Sequence, residues 1–337
     1  MKRPTIADIA QRAGVSQGAV SYALNGRPGV SENTRARVLK VANEMGWRPS
    51  VAARALTGAR AGVVGLVLSR PPSVLGAEPF FMELFSGIET ALKPHACALM
   101  LQMADDQDAE IEVYRRWWAE GRIDGAILVE VHVSDRRLPV VEQIGMPAVV
   151  IGGQPGVGSL PSVHSDESAP VHETVEYLAA LGHRRIGRVA GLPHLVHTTV
   201  RDEAFTAACA RLGLPACVTY YTDYTGEEGG RATRRLLSSP DRPTAIVFDN
   251  DIMAVAGLSV AQEMRLRVPD DLSLVAWDDS PLAQVVRPAL TAVRRDVPAL
   301  GSAAARHLLS LIHGDPVPDV ETEPARLTAR GSTGPLT

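Results

Sequence analysis

Five residues near the N-terminus, Gln17, Gly18, Ser21, Tyr22 and Asn25, are spaced so that a helix gathers them on one side, while Ala19, Val20, Ala23 and Leu24 fall on the other. The first strip carries two amides, two hydroxyl-bearing side chains and one gap. Such groups can exchange hydrogen bonds with base edges in a DNA major groove, where Gln pairs bidentately with adenine. A plain solvated helix face has the same appearance, so the surroundings of the strip matter. Residues 1–60 hold ten Lys and Arg against three acids, net +7, whereas the remainder holds 24 basic against 35 acidic residues, net −11. A basic head on an acidic body suits contact with a polyanion through the head alone.

Three short helices must position the strip. Thr5 can cap the first, with Asp8 at capping-box spacing; Ile6, Ile9 and Ala10 point inward, and the helix stops near Gly14. The turn Ala13-Gly14-Val15-Ser16 leads into the second, capped by Ser16 and ending at Asn25-Gly26. Ser31 caps the third, Glu32 suits the dipole of its first turn, and Val38, Leu39, Ala42 and Met45 form its expected apolar face up to Gly46. Pro49 breaks the chain. The stretch Ser50–Leu56 has room for about two helical turns, which are marginal alone.

From Gly62 onward, short apolar runs (GVVGLVL, ACALMLQ, GAILV, PAVVI) alternate with amphipathic stretches. The scheme repeats in the second half with RRIGRVA, ACVTYY, TAIVF and LSLVAW. Alternating strands and helices predict parallel sheets covered by helices. The number of strands predicts two α/β lobes, with the change of lobe near Leu160–His164 and a ligand cleft at the carboxyl ends of the strands.

Other motifs exclude more than they offer. No Walker A loop, HExxH or nucleophile elbow is present, so no enzyme is expected. Gly152, Gly153, Gly156 and Gly158 follow a strand but lack the helix and ribose-binding acid of a dinucleotide site, so they read as a loop and no cofactor is expected. His194 and His197 lack a third ligand for a metal. Cys97, Cys209 and Cys217 suggest no paired framework, which fits a reducing cytoplasm. No export signal and no apolar run of membrane-spanning length appears, so no membrane partner is expected. Residues 331–337 read as a flexible tail without a leucine heptad.

The segment TIADIAQRAGVSQGAVSYALNG, followed by VSENTRARVLKVANEMGWRPSVAARAL, closely resembles the head of the lactose-repressor/galactose-repressor (LacI/GalR) family. The α/β remainder looks like that family's core, so the resemblance covers essentially the whole chain. It implies an all-α helix-turn-helix head and a two-lobed α/β body with parallel sheets, like periplasmic sugar-binding proteins. The expected organisation is a DNA-binding domain at 1–48, a hinge helix and linker at 49–61, and an effector-binding and dimerisation domain at 62–330. The N-lobe is expected at about 62–161 and 294–319, and the C-lobe at about 162–293 and 320–330.

The resemblance further implies a cytoplasmic homodimer on a pseudo-palindromic double-stranded operator, acting as a repressor. A small effector, first a sugar acting as inducer, would bind between the lobes. A purine-type corepressor is the alternative. A sugar-binding protein that does not touch DNA would share the body but not the basic head. DNA-binding positions carried over are Thr5, Ser16, Gln17, Gly18, Ser21, Tyr22 and Asn25, with Arg54 and Leu56 in the hinge. Leu56 matches a leucine that wedges between base pairs in the minor groove. Gly18 departs from the larger polar residue many members carry, which shifts base discrimination toward Gln17 and Tyr22. Effector-site positions are Phe80 and Phe81, Arg201 in HTTVRDEAF, Tyr224 in YTDYTGEEGG, Asn250 in DNDIMAVAG, Asp278 in VAWDDSPLA, and Asp166 near the lobe crossing. Aromatic faces with amide, carboxylate and guanidinium groups suit a sugar.

Overall fold

A computed structural model describes residues 4–47, 60–153 and 158–336. The chain divides into two compact units, Met1–Ala61 and Gly62–Thr337.

In the first unit, helices Ile6–Ala13, Gln17–Leu24 and Glu32–Glu44 enclose a small core around Ile9, Val20 and Val38. Thr5 and Asp8 form a complete capping box, and Ser16 and Ser31 cap the next two helices through their side-chain oxygens. Leu39, expected in the core, is 47% exposed; Val41 occupies the inward position together with Val38 and Ala42. Arg35 ties the third helix to the end of the second, donating to the carbonyls of Ala23 at 3.0 Å and Arg27 at 2.8 Å.

The second unit is built on strands β1 (Val63–Leu68), β2 (Ala98–Met103), β3 (Gly125–Leu128), β4 (Ala148–Ile151), β5 (Ser162–His164) and β6 (Arg185–Ala190). They are followed by β7 (Ala216–Tyr221), β8 (Ala245–Phe248), β9 (Ser273–Trp277), β10 (Thr291–Arg294), β11 (Val320–Glu321) and β12 (Arg326–Thr328). One sheet runs β11-β5-β4-β3-β1-β2 and the other β12-β10-β9-β8-β6-β7. Both are parallel apart from the β10–β12 pair. Strands β1, β3 and β4 of the first sheet and β6, β8 and β9 of the second are almost wholly buried, because helices cover both faces.

The chain crosses between the lobes three times: after β5, after β10 and after β11. This moves the expected lobe boundary. The pairing of β5 with β4 and of β11 with β5 keeps both strands in the first sheet, although the sequence reading assigned them to the second lobe. Asp319 reinforces that edge by accepting from the Ser162 amide at 2.8 Å.

Two further expectations fail. The tail is docked: Ser332 is fully buried, Leu274 donates its amide to the Ser332 carbonyl at 2.9 Å, and Leu336 donates to the Leu181 carbonyl at 2.9 Å. Strand β10 starts opposite Val275, so the Leu274 amide needs an acceptor from elsewhere, and the tail supplies it. Cys209 and Cys217 are disulfide-bonded, with Cα atoms 6.6 Å apart; helix Val196–Arg211 turns straight back into β7 and brings them together. Cys97 is free. Among the described residues, no helix is long and apolar enough to cross a membrane.

Helix Val297–His313, reached by the second crossing, packs against helix Pro79–Leu92 beneath the first sheet. The helices approach closely at two glycines. A Cβ on Gly87 would lie 2.0 Å from the Pro298 carbonyl oxygen, and one on Gly301 would lie 2.4 Å from that of Leu84. Both obstacles are backbone, so a methyl group must push the helices apart. Gly301→Ala is therefore expected to destabilise the body by about 1–3 kcal/mol. Denaturant unfolding followed by circular dichroism checks this; wild-type stability would refute the tight crossing.

Candidate functional site

Two surfaces combine the candidate residues, one on each unit. On the head, Gln17, Gly18, Tyr22 and Asn25 are exposed and Ser21 is half-buried, whereas Val20 and Ala23 face the core. Ser16 Oγ accepts from the Ala19 amide at 3.2 Å, so it fixes the start of the helix. Thr5 is likewise engaged, donating its hydroxyl to Asp8 at 2.7 Å. A Cβ built on Gly18 meets only Ser16 Oγ, at 3.9 Å, so the gap in the strip opens to free space. Arg12, Arg27, Arg37 and Lys40 are exposed on the same unit. Arg54 and Leu56 lie outside the described residues.

In the body, the sheet orders reverse direction at β1 and β6, where loops diverge and leave a crevice. Between the lobes lies a cavity of about 280 Å³ lined by Phe80, Phe81, Asp166, Arg201, Tyr224 and Asp278 among others. That volume is at the small end of ligand sites. Phe81 is 1% exposed and belongs to the core, edge-on to Phe80 with ring centroids 5.3 Å apart. Asn250 stands behind the wall. It caps helix Asp251–Glu263, and its Nδ2 donates to the Tyr224 carbonyl at 3.0 Å and Glu78 Oε1 at 3.4 Å. Asp166 accepts from the Ser168 amide at 2.8 Å and the Ser168 hydroxyl at 2.6 Å, which fixes the first crossing.

Tyr224 owes its place to a glycine: a Cβ on Gly191 would lie 1.8 Å from the ring. Its hydroxyl shares hydrogen bonds with His197 Nε2 at 2.7 Å and Thr198 Oγ1 at 3.1 Å, and the Arg70 guanidinium lies 4.8 Å from its centroid. Arg201 stacks 3.9 Å over the Trp277 ring and donates to Glu167 Oε2 from Nε at 2.8 Å and Nη2 at 2.6 Å. Arg295 donates to Asp278 at 2.6 and 3.1 Å and to Glu167 at 3.3 Å, and lies 4.8 Å over the Phe80 ring.

The lobes also touch along the edge of the cavity. The Val196 amide donates to the Val131 carbonyl and the Val133 amide to the His194 carbonyl, both at 2.8 Å, while the His132 and His194 rings lie 4.7 Å apart.

Comparison with known proteins decides the family. Residues 5–50 match the family model described as bacterial regulatory proteins, lacI family, and residues 175–333 match that of a periplasmic binding protein-like domain. The chain is 32% identical to the HTH-type transcriptional regulator CelR of Thermobifida fusca over 97% of its own length and 95% of that protein. The chain belongs to the LacI family. A solved complex of transcriptional regulator CelR with cellobiose superposes with a TM-score of 0.75 at 29% identity, covering 98% of this chain and 100% of that one. The lac repressor dimer bound to operator and the anti-inducer ONPF gives 0.84 at 25% identity, covering 99% and 100%. The protein is thus a DNA-binding transcriptional regulator with a two-lobed α/β body.

Several cleft residues of this LacI-family chain escaped sequence reading: Arg70, Glu78, Glu130, Glu167 and Arg295; His197 stands in the HTTVRDEAF motif but reads from sequence only as a candidate metal ligand. Only the closeness of Glu167 to Asp166 and of Glu78 to the Phe80-Phe81 pair hinted at two of them. Arg201 does not pair with its sequence neighbours Asp202 or Glu203; Asp202 instead binds Arg188.

The charges are set by these partners. Burial disfavours the Glu167 carboxylate, but Arg201 and Arg295 outweigh it and hold the group below the ordinary carboxylate value. His197 is driven far below its ordinary value, first by burial and then by Arg201 and Arg295, so it is neutral. A carboxyl held down in this way stabilises the fold at pH values above its ordinary value of 4.5, and that contribution is lost as pH falls through the lower folded value. Glu167→Gln is expected to cost roughly 3 kcal/mol at pH 7 by removing the carboxylate of the buried Arg201, while Arg295 keeps Asp278. It should also flatten the stability loss seen below about pH 4.5. Thermal melts from pH 3 to 7 check both; a wild-type acid limb in the variant would show that Glu167 is not the titrating brace.

Proposed function

We propose that this regulator is a cytoplasmic repressor that acts as a homodimer on a pseudo-palindromic operator and releases it when a small sugar fills the interlobe cleft. The carrying observation is the cleft itself: the aromatic faces of Phe80 and Tyr224 beside Asp278 and the two braced guanidinium groups, a mixture suited to a sugar's C–H surfaces and hydroxyls. The relative solved with cellobiose supports a sugar as effector. On the head, Gln17 and Tyr22 read bases, while the basic side chains contact phosphates. The segment 49–61, with Arg54 and Leu56, is the link through which a change in the lobes reaches the heads. By linkage, a ligand that weakens operator binding is itself bound less tightly by the DNA-bound protein.

Fluorescence anisotropy with an operator fragment, titrated with salt and with sugars including cellobiose, tests this reading. Operator affinity should fall steeply with salt, each neutralised phosphate adding about −0.9 to the slope of log affinity against log salt. Gln17→Ala should cost about 1–3 kcal/mol. Asp278→Ala should keep operator binding but lose the sugar response, because it removes a carboxylate from the cavity wall and frees Arg295 from its shorter ion pair. A ligand that tightens operator binding would replace inducer by corepressor. Flat salt dependence would overturn the DNA reading.

A further inference from the structure

Glu78 stands apart from the other inward charged groups of the cleft; Glu321, also on its lining, is exposed to solvent. Arg70 is neutralised by Glu130, Arg201 by Glu167, and Arg295 by Asp278 and Glu167. Asp249 is held by Arg188, and Asp166 by Ser168. Glu78 Oε1 accepts one long bond, 3.4 Å, from Asn250, while Oε2 is buried without a hydrogen-bond partner among the described residues. The residue lines the cavity immediately before helix Pro79–Leu92, which carries Phe80. A native structure rarely leaves a buried carboxylate oxygen without a donor, so an orphan on a cavity wall marks a partner that arrives from outside the protein.

We propose that Glu78 is the hydrogen-bonding partner of the ligand in this cleft and makes the site select an uncharged, hydroxyl-bearing molecule over its phosphorylated counterpart. The proposal rests on the effector reading and adds a specificity determinant to it. A phosphate entering the cavity would find the three lining guanidinium groups already matched by carboxylates. His197, held neutral, offers no positive charge. Above about pH 7, where Glu78 is ionised, the phosphate would also face its charge in a partly desolvated space, where an unpaired anion is costly. A hydroxyl is both donor and acceptor and can serve Glu78 in either protonation state. Burial pushes the Glu78 carboxyl up to about 7, opposed by Arg70 and aided by Glu130 and Asp278, with Asn250 the other facing group.

Melting of the full-length protein without ligand provides one test. The folded protein holds the Glu78 proton up to about pH 7, above the ordinary 4.5, so stability declines as pH rises between those values. Glu78→Gln lacks that decline. Its melting temperature should exceed that of the wild type by a few degrees at pH 8 and match it near pH 4.5. An unchanged or lower value at pH 8 would make Glu78 a structural anion for Arg70 and overturn the proposal.

The second test screens matched pairs by thermal shift: glucose and glucose 6-phosphate, trehalose and trehalose 6-phosphate, adenosine and its monophosphate, with cellobiose alongside. Any stabilising member should be uncharged, and its affinity should fall at least tenfold in Glu78→Ala. Stabilisation by a phosphorylated member, or an uncharged ligand indifferent to Glu78→Ala, overturns the proposal. If no member binds, the melting test decides. The two readings fail separately. A phosphorylated ligand that releases operator keeps the effector reading and removes this one. An uncharged, Glu78-dependent ligand that leaves operator binding untouched does the reverse.

Discussion

One carboxylate on the first crossing organises the body. Glu167 follows β5 and binds Arg201, from a helix of the second lobe, and Arg295, on the second crossing. Arg295 in turn holds Asp278 and covers Phe80, and Arg201 covers Trp277. Side chains from both lobes and two of the three crossings thus depend on one anion. Buried guanidinium groups are tolerated only when matched in this way, and the matching leaves the three guanidinium groups of the cleft wall neutralised. The site is shaped less by groups that reach for a ligand than by groups that hold one another still.

The glycines act in the same direction by subtraction. Gly191 makes room for the Tyr224 ring, and Gly87 and Gly301 let the helix of the second crossing lie against the helix that begins with the Phe80 wall. Gly18 works differently. It leaves open space on the exposed face of the second helix of the head.

What could be read from sequence followed the range of the interactions involved. Helix caps are local, and Thr5, Ser16 and Ser31 stand where residue type and spacing placed them. Strand-helix alternation exposed the two-sheet plan because each strand's burial is written in its own residues. Pairings between distant residues left no such trace. The partner of Arg201 lies 34 positions away, while two nearer acids compete for notice. Asn250, expected at the ligand, also caps its helix and bonds the Tyr224 carbonyl and Glu78, a role its sequence motif did not announce. The tail looked free because chain ends commonly fray, yet it answers an unmet backbone amide of β9. Leu39 fitted the apolar period of its helix, but Val41 takes the core position.

The contacts along the cavity edge bear on time rather than affinity. Val131 and Val133 exchange main-chain hydrogen bonds with Val196 and His194, so that rim is stitched as a sheet is stitched. A molecule enclosed behind it escapes by that side only after those bonds part. For a ligand leaving that way, the parting of these two bonds sets a ceiling on the rate of exit that does not depend on the ligand's own affinity.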